Sequence, residues 1–282
     1  MVAAAESHSG HPTVIQPEHG FALPDLRELW DFRDLIVMLV RRDVAIRYRQ
    51  SAVGALWAVV QPVALAGVFS LFLGRLNRVP SAGGIPYPLF ALAGMVMWIY
   101  IQQAFSRSSE STIAAGTLIS KVYFPRLAIP LVAAVAPAVD FAFAFVVLIA
   151  AMFLYGEPPG LELLAAPAVF LLAAGTALGL GLWLSAVAVR FRDVQHLVPF
   201  LTQVTLFITP IVYAFDLVPE TVRPLYALNP LVGVMEAWRW ALFGEMTAPP
   251  GLVLVPVFVS LILITVGAMF FRRSERTFAD HL

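Results

Sequence analysis

The chain has no cysteine, a single lysine and few charged residues of either sign. Of its 282 residues 13% are charged, about half the share in soluble domains, while 60% are hydrophobic. The lack of cysteine excludes disulfides, thiolate nucleophiles and zinc sites built on cysteine. The lysine, Lys121, follows a serine rather than a glycine, so the chain has no P-loop for ATP. Any ATP-driven work therefore needs a partner chain.

Histidine is scarce where metal chemistry would need it. His8, His11 and His19 lie in the N-terminal tail. His196 lies at the edge of an apolar stretch, and His281 lies next to the C-terminus. Because no pair is placed to hold a catalytic metal within a membrane, we predict no metal site and no catalytic residues.

Long apolar stretches are what the sequence has in abundance. Six of them can cross a hydrocarbon layer of roughly 30 Å as helices, at about 1.5 Å per residue. They are residues 52–72, 85–105, 127–155, 161–189, 197–215 and 251–271. In lipid each must satisfy its own backbone. We therefore predict an all-α integral membrane protein with six transmembrane helices.

The basic residues are distributed asymmetrically, although the net charge is zero. Placing the N-terminus in the cytoplasm puts fourteen of the eighteen basic residues on that side. The positive-inside rule therefore predicts that both termini are cytoplasmic. The absence of a basic excess gives no indication of a nucleic-acid partner.

The N-terminal region differs from the apolar remainder. We predict a disordered cytoplasmic tail over residues 1–24, an amphipathic interfacial helix over 25–50 and one six-span transmembrane domain over 51–282. The helix has acidic residues early and basic residues late, which complements its dipole, and an apolar stripe to face the bilayer. The stripe consists of Leu35, Ile36, Leu39, Val40 and Val44. A solvated charged helix is the alternative.

The segment between the fifth and sixth stretches, residues 216–250, is broken by prolines but regains an apolar run at 231–244. That run is too short and too charged for a seventh span. Glu236 and Arg239 lie three residues apart, so they can pair on one helix face. We predict a short external helix that is either re-entrant or surface-lying.

Two helical faces are candidates for the lining of a channel. Thr202, Thr205 and Thr209 share one face of the fifth stretch, where they either line a pore or bond carbonyls of their own or a neighbouring helix. The first stretch has an aromatic face with one amide, which serves either pore lining or packing. This face comprises Trp57, Gln61, Val68 and Phe72.

Asp140 is the only acidic residue deep within an apolar stretch, where an acid is costly and often functional. It is either a proton site or a hydrogen-bonded acid that holds two helices together. Because no intramembrane Lys, Arg or His partner is evident, we favour the second interpretation. Gly175 and Gly179 are expected to let two helices pack closely.

Five motifs follow one another along most of the chain. They are RYRQSAVGALWAVVQP (47–62), LISKVYFPRLAIPL (118–131), RFRDV (190–194), TPIVY (209–213) and NPLVGVMEAWR (229–239). In this order they resemble type-2 ABC exporter permeases, which move lipid-linked polysaccharides such as O-antigen, capsule or teichoic acid.

The resemblance implies a permease of the bacterial inner membrane that forms a homodimer, joined to two ATPase subunits and embedded in membrane lipids. ATP and Mg would bind to those subunits, with no cofactor on this chain. The cargo would be a lipid-linked polysaccharide, conducted through a channel whose walls include the first and fifth stretches.

The resemblance also implies roles for particular residues. Arg47 and Arg49 are candidates for holding the lipid pyrophosphate, since guanidinium groups match phosphate oxygens; anchoring to anionic membrane lipid is the alternative. The connector between Glu110 and Ser120 would couple to the ATPase. The external segment with Glu236 and Arg239 resembles the family's re-entrant helices.

Two other functions stay open. One is a proton-coupled exporter of small molecules with Asp140 as the proton site. The other is an integral membrane glycosyl- or acyltransferase, which needs a convergent set of acids or histidines that the sequence does not show.

Overall fold

The computed structural model describes residues 26–49, 54, 56–116, 124–191, 193–226, 228–244 and 250–275. All regular structure in these residues is helical, which confirms the predicted all-α class. The helices are α1 (Leu26–Asp31), α2 (Arg33–Arg49), α3 (Leu56–Phe69), α4 (Tyr87–Ala114), α5 (Ala128–Val135), α6 (Ala138–Tyr155), α7 (Ala166–Arg190), α8 (Val194–Phe207), α9 (Pro230–Phe243) and α10 (Pro250–Ser274). A π-helix, Ser70–Leu76, continues α3. Short 3₁₀ segments and one helical turn, Arg223–Tyr226, fill connections.

Five of the helical segments in the described residues are long and apolar enough to cross a membrane. They are Leu56–Leu76, Tyr87–Ala114, Ala128–Tyr155, Leu161–Arg190 and Val257–Ser274. The fifth predicted stretch, 197–215, differs because α8 ends at Phe207 and spans only about 21 Å at 1.5 Å per residue. The chain then runs without regular structure to Ala214. The predicted count of six spans is therefore not confirmed.

Helix α4 is the centre of the bundle. Residues 89–101 are all buried, and α4 packs against α3, α5, α6 and α7. Tyr100 of α4 packs in tilted arrangements against Phe141 and Phe170, whose ring centroids lie 5.6 and 4.6 Å away. Aromatic packing of this kind stabilises helix contacts beyond the area buried. By contrast, α3 lies at the edge of the helix bundle, with most of its surface exposed.

Two prolines shape the third span. Pro137 separates α5 from α6, because a proline cannot donate the helical hydrogen bond. Hydroxyl groups of α4 bind carbonyls of α5: Ser108 donates to Pro130 at 2.7 Å and Tyr100 to Ala134 at 3.3 Å. These bonds fasten α5 to α4 on the N-terminal side of the break.

Glycines set the closest helix contacts. A Cβ on Gly179 would lie 2.8 Å from the backbone nitrogen of Ile264. A Cβ on Gly175 would lie 2.7 Å from the side-chain Cδ1 of the same isoleucine. Gly267 of α10 likewise faces the carbonyl of Gly179. The prediction that Gly175 and Gly179 serve helix packing is confirmed, with α10 as the partner.

The predicted interfacial segment is two helices, α1 and α2. Its apolar stripe does not face outward as predicted: Leu35 and Ile36 pack against Phe124 and Ile129 at the start of the third span, and Leu39 is buried. The reason is that α2 crosses α5, which offers its own apolar surface. Other apolar side chains are exposed instead, namely Trp30, Val37, Met38 and Ile46. The membrane-surface position stays a prediction.

Candidate functional site

A pocket of about 260 Å³ opens where the end of α2, the start of α3, the C-terminal part of α4 and the start of α6 meet. Its lining is rich in polar groups. The lining residues are Arg47, Tyr48, Gly54, Trp57, Ala58, Gln61, Gln103, Arg107 and Asp140. Three residues predicted separately, Arg47, Trp57 and Gln61, are thus brought together. Ionisable groups inside a membrane bundle mark functional sites, so this pocket is the candidate site.

Asp140 is bound by two side chains from α2. Nη1 of Arg47 donates to one carboxylate oxygen and the hydroxyl of Tyr48 donates to the other. This corrects the expectation that Asp140 lacks a basic partner, because the partner comes from the segment before the first span. The interpretation of Asp140 as a hydrogen-bonded acid that joins two helices is confirmed.

The guanidinium of Arg47 is only partly satisfied by this pair. Its Nε and Nη2 atoms are buried and have no hydrogen-bond partner among the described residues. A buried donor without a partner costs about 1–3 kcal/mol. Burial lowers the pKa of Arg47, and the positive charge of Arg107 lowers that pKa further. Asp140 is therefore the one carboxylate paired with Arg47 among the described residues, while a second positive charge lies nearby.

The second arginine of the pocket is Arg107 rather than the predicted Arg49. Arg107 lies near the C-terminal end of α4, and no ion-pair partner reaches it in the described part of the chain. Asp43 and Glu110 act on it electrostatically, but Asp43 is already bonded to a neighbouring arginine. Arg49 is exposed and lies outside the lining, since it falls on the other face of α2.

The predicted channel face of the first span is exposed along its length. Trp57 is 64% and Phe72 54% exposed, and Gln61 and Val68 are exposed as well. Since Trp57 and Gln61 also line the pocket, the exposed face leads out of the pocket along α3.

The threonine face of the fifth stretch is mostly turned inward. Thr202 is buried and donates to the carbonyl of Pro199 at 2.7 Å, while buried Thr209 bonds the side-chain amide of Asn229 at 3.0 Å. Only Thr205 is half-exposed. This corrects the prediction that Thr202 and Thr209 line a channel, because their hydroxyl groups satisfy polar groups of the protomer itself.

Arg239 lies beside the irregular segment after α8. Its Nη1 donates to Glu236 at 3.0 Å, and its Nη2 donates to the carbonyls of Ile211 at 3.0 Å, Tyr213 at 3.3 Å and Pro210. The predicted pairing within α9 is therefore present. Both charged residues are buried, which shows that the pair faces the protein rather than a surface.

The irregular segment is also fastened to α4. The hydroxyl of Tyr87 donates to the carbonyl of Val212 at 2.6 Å, and the guanidinium of Arg239 lies 4.1 Å from the ring centroid of Phe90. A Cβ on Gly94 would lie 1.9 Å from the carbonyl oxygen of Ile211. Side chains thus replace the helical hydrogen bonds that the chain gives up after α8.

The predicted coupling connector begins inside a long helix. Glu110 is exposed in the last turns of α4, which continues beyond the predicted end of the second span at residue 105. Ser120 lies outside the described residues. The coupling role of both stays a prediction.

The sequence model of one membrane family covers all but the first residue of α2, the pocket and the whole of α9. It is the model of ABC-2 type transporters, and it matches residues 34–243. The chain belongs to the ABC-2 type transporter family. It is accordingly a multi-pass membrane protein and a transport subunit.

Named relatives resemble this ABC-2 chain over most of its length. The O-antigen export system permease protein RfbA of Myxococcus xanthus is 30% identical, with 91% of this chain and 98% of that protein covered. RfbA of Klebsiella pneumoniae is 29% identical, with 88% and 95% covered. The polysialic acid transport protein KpsM of Escherichia coli is 23% identical, with 84% and 92% covered.

Sequence reasoning missed three pocket residues of this ABC-2 transporter, Tyr48, Gln103 and Arg107. A basic residue near the end of a span is expected on the positive-inside rule alone, so Arg107 gave no separate signal. Gln103 lies within an apolar stretch, and as a polar residue in a span it was the one usable hint. The three come together only in the folded chain, where α2 and α4 line the same pocket.

Proposed function

We propose that this chain is the permease subunit of an ATP-driven exporter that moves lipid-linked polysaccharide across the bacterial cytoplasmic membrane. The observation that carries the proposal is the 30% identity to an O-antigen export permease of which 98% is covered. KpsM, a relative named for polysialic acid transport, shares the cargo class.

The proposed assembly is a homodimer of this chain with two separate ATPase subunits, which bind ATP and Mg. It is supported by the absence of a P-loop in this sequence and by the exposed face of α3, which leaves one wall of a path for a second copy to complete. The distribution of basic residues supports cytoplasmic termini. The connector between Glu110 and Ser120 then faces the ATPase.

In this assembly Trp57, Gln61 and Phe72 of the first span, with Thr205 of α8, line the channel. Rings suit a sliding glycan because the apolar faces of sugars stack on them without fixed hydrogen-bond geometry. The pocket at the start of α3 receives the lipid end of the cargo, where Arg47 binds its phosphate.

The test is reconstitution of this chain with its candidate ATPase subunit in lipid nanodiscs. Lipid-linked polysaccharide is expected to stimulate ATP hydrolysis, whereas the lipid carrier without glycan is expected to stimulate it less. An ATPase subunit with an inactivated P-loop is the control. Failure of the two proteins to co-purify, or export driven by a proton gradient without ATP, would contradict the proposal.

The proton-coupled alternative makes a separate prediction. Asp140 would be its proton site, but the carboxylate is already bound by Arg47 and Tyr48. ATP-driven export that persists in Asp140→Asn contradicts this alternative, because the amide cannot carry the proton.

A further inference from the structure

We infer that the pocket binds a phosphate or diphosphate group between Arg47 and Arg107, and that Asp140 is the counter-ion that Arg47 exchanges for this ligand. The inference rests on the proposed function, in which a lipid-linked cargo supplies the phosphate. It adds Arg107 and the glutamines to the site and gives Asp140 a defined role.

The charge of the lining indicates an anionic ligand. The pocket contains two guanidinium groups and one carboxylate, and the amides of Gln61 and Gln103 offer further donors from α3 and α4. Arginine pairs well with phosphate because its planar fork matches two phosphate oxygens. A cation would meet two like charges, and a neutral sugar would leave the second arginine unpaired.

The size of the pocket indicates a head group. Its volume of about 260 Å³ is below the ~300–1,000 Å³ of pockets that enclose a whole drug-sized ligand. A phosphate or diphosphate with the first part of its substituents fits this volume, whereas a polysaccharide chain needs the exposed face of α3.

The state of Arg47 points to exchange rather than to a fixed ion pair. Asp140 satisfies Nη1, while Nε and Nη2 stay buried without partners in the described residues. A ligand between Arg47 and Arg107 offers more acceptor oxygens than Asp140 and neutralises both cations. After the exchange Tyr48 still donates to Asp140, so the carboxylate keeps one partner.

The exchange would change which helix Arg47 connects to α2. The bond from Arg47 to Asp140 connects α2 to α6, whereas a ligand bound by Arg47 and Arg107 would connect α2 to α4. Because α2 also packs on α5, occupancy of the pocket would be communicated to the start of the third span.

Binding of radiolabelled farnesyl pyrophosphate to the complex of this chain with its ATPase subunit, in nanodiscs of phosphatidylcholine, tests the two-arginine site. Arg47→Gln and Arg107→Gln are each expected to weaken binding by about tenfold or more, as for loss of a charged hydrogen bond. Arg49→Gln is the matched control, and its binding is expected to be unchanged. Unchanged binding in Arg107→Gln overturns the site.

The two partners of the exchange have opposite expected effects. Asp140→Asn removes the competitor for Arg47 and should tighten binding several-fold. Tyr48→Phe leaves both charges in place but removes the hydroxyl that stabilises the released carboxylate, so it should weaken binding. If Asp140 and Tyr48 only stabilise the shape of the pocket, binding should weaken in both variants. That result overturns the exchange. If Asp140→Asn does not fold, unchanged or tighter binding in Tyr48→Phe overturns it.

Competition identifies the source of the phosphate. Displacement of the probe by inorganic pyrophosphate assigns the site to a diphosphate, and displacement by phosphatidylglycerol in the nanodisc assigns it to a membrane-lipid head group. Displacement by neither overturns the phosphate chemistry. The proposed function fails on a different result, namely ATP hydrolysis that does not respond to lipid-linked polysaccharide.

Discussion

Two arginines of this chain, half-buried Arg47 and buried Arg239, differ in how fully they are bonded. Arg47 has one carboxylate partner and two nitrogens without partners among the described residues. Arg239 has only one such nitrogen, Nε, among the described residues; its other two nitrogens bind a carboxylate and three carbonyls, and its guanidinium lies over an aromatic ring. Burying a charge is costly unless it is well paired, so the first suits exchange and the second suits a fixed position.

The fixed role of Arg239 predicts a large effect of a conservative change. Arg239→Lys keeps the charge for Glu236 but loses the planar fork that reaches the carbonyls after α8. We expect the free energy of unfolding to fall by about 2–3 kcal/mol, as for loss of charged hydrogen bonds in a buried site. Denaturant titration in mixed micelles measures this.

Arg223→Lys is the matched control for that change. Arg223 also donates to two backbone carbonyls, of Val218 and Asp216, but its ion-pair partner Glu220 is mostly exposed. We expect a loss within about 0.5 kcal/mol, as for most surface substitutions. Equal losses in the two variants would contradict a special role of Arg239.

At the scale of elements, the contact between α4 and the segment after α8 depends on one missing side chain. Gly94 lets the carbonyl of Ile211 approach the axis of α4. In Gly94→Ala the methyl group would overlap that carbonyl, so we expect a loss of about 1–3 kcal/mol in the free energy of unfolding. Thermal unfolding and denaturant titration in nanodiscs or micelles measure it.

Gly67→Ala provides the comparison, because a Cβ on Gly67 in α3 meets nothing within 4 Å. Alanine has a higher helix propensity than glycine by about 1 kcal/mol, so this variant should be neutral or more stable. A loss in Gly67→Ala as large as that in Gly94→Ala would show that the effect does not come from the overlap.

The elements differ in how far sequence predicts them. Five spans follow from hydrophobicity and length, because lipid allows few other structures. The end of α8 does not follow in the same way, since 197–215 is apolar enough to suggest a full span, and its missing helical bonds are replaced by tertiary contacts of Arg239, Tyr87 and Asn229. The pocket is harder still, because Arg47 and Asp140 are 93 residues apart and no periodicity connects them.

At the scale of the whole molecule, the chain has two exposed apolar faces for which we propose different surroundings. One runs along α3 from Trp57 to Phe72 and includes the exposed amide of Gln61. Another lies on α6, where Val146 is 67% exposed among apolar neighbours. In the proposed dimer the first face lines a water-filled channel and the second faces lipid. The two faces are similarly exposed in a single chain but would then contact different solvents.

Because the native chain has no cysteine, single-cysteine variants distinguish these solvents cleanly. We expect a membrane-impermeant methanethiosulfonate reagent to modify Gln61→Cys and Phe72→Cys in the reconstituted exporter during ATP hydrolysis, since only a hydrated thiol ionises and reacts. Val146→Cys should stay unmodified, because its thiol lies in hydrocarbon. Equal modification of Val146→Cys and Phe72→Cys would place α3 against lipid, and the channel wall would then have to be built from the exposed side of α8, where Gln203 and Phe207 lie.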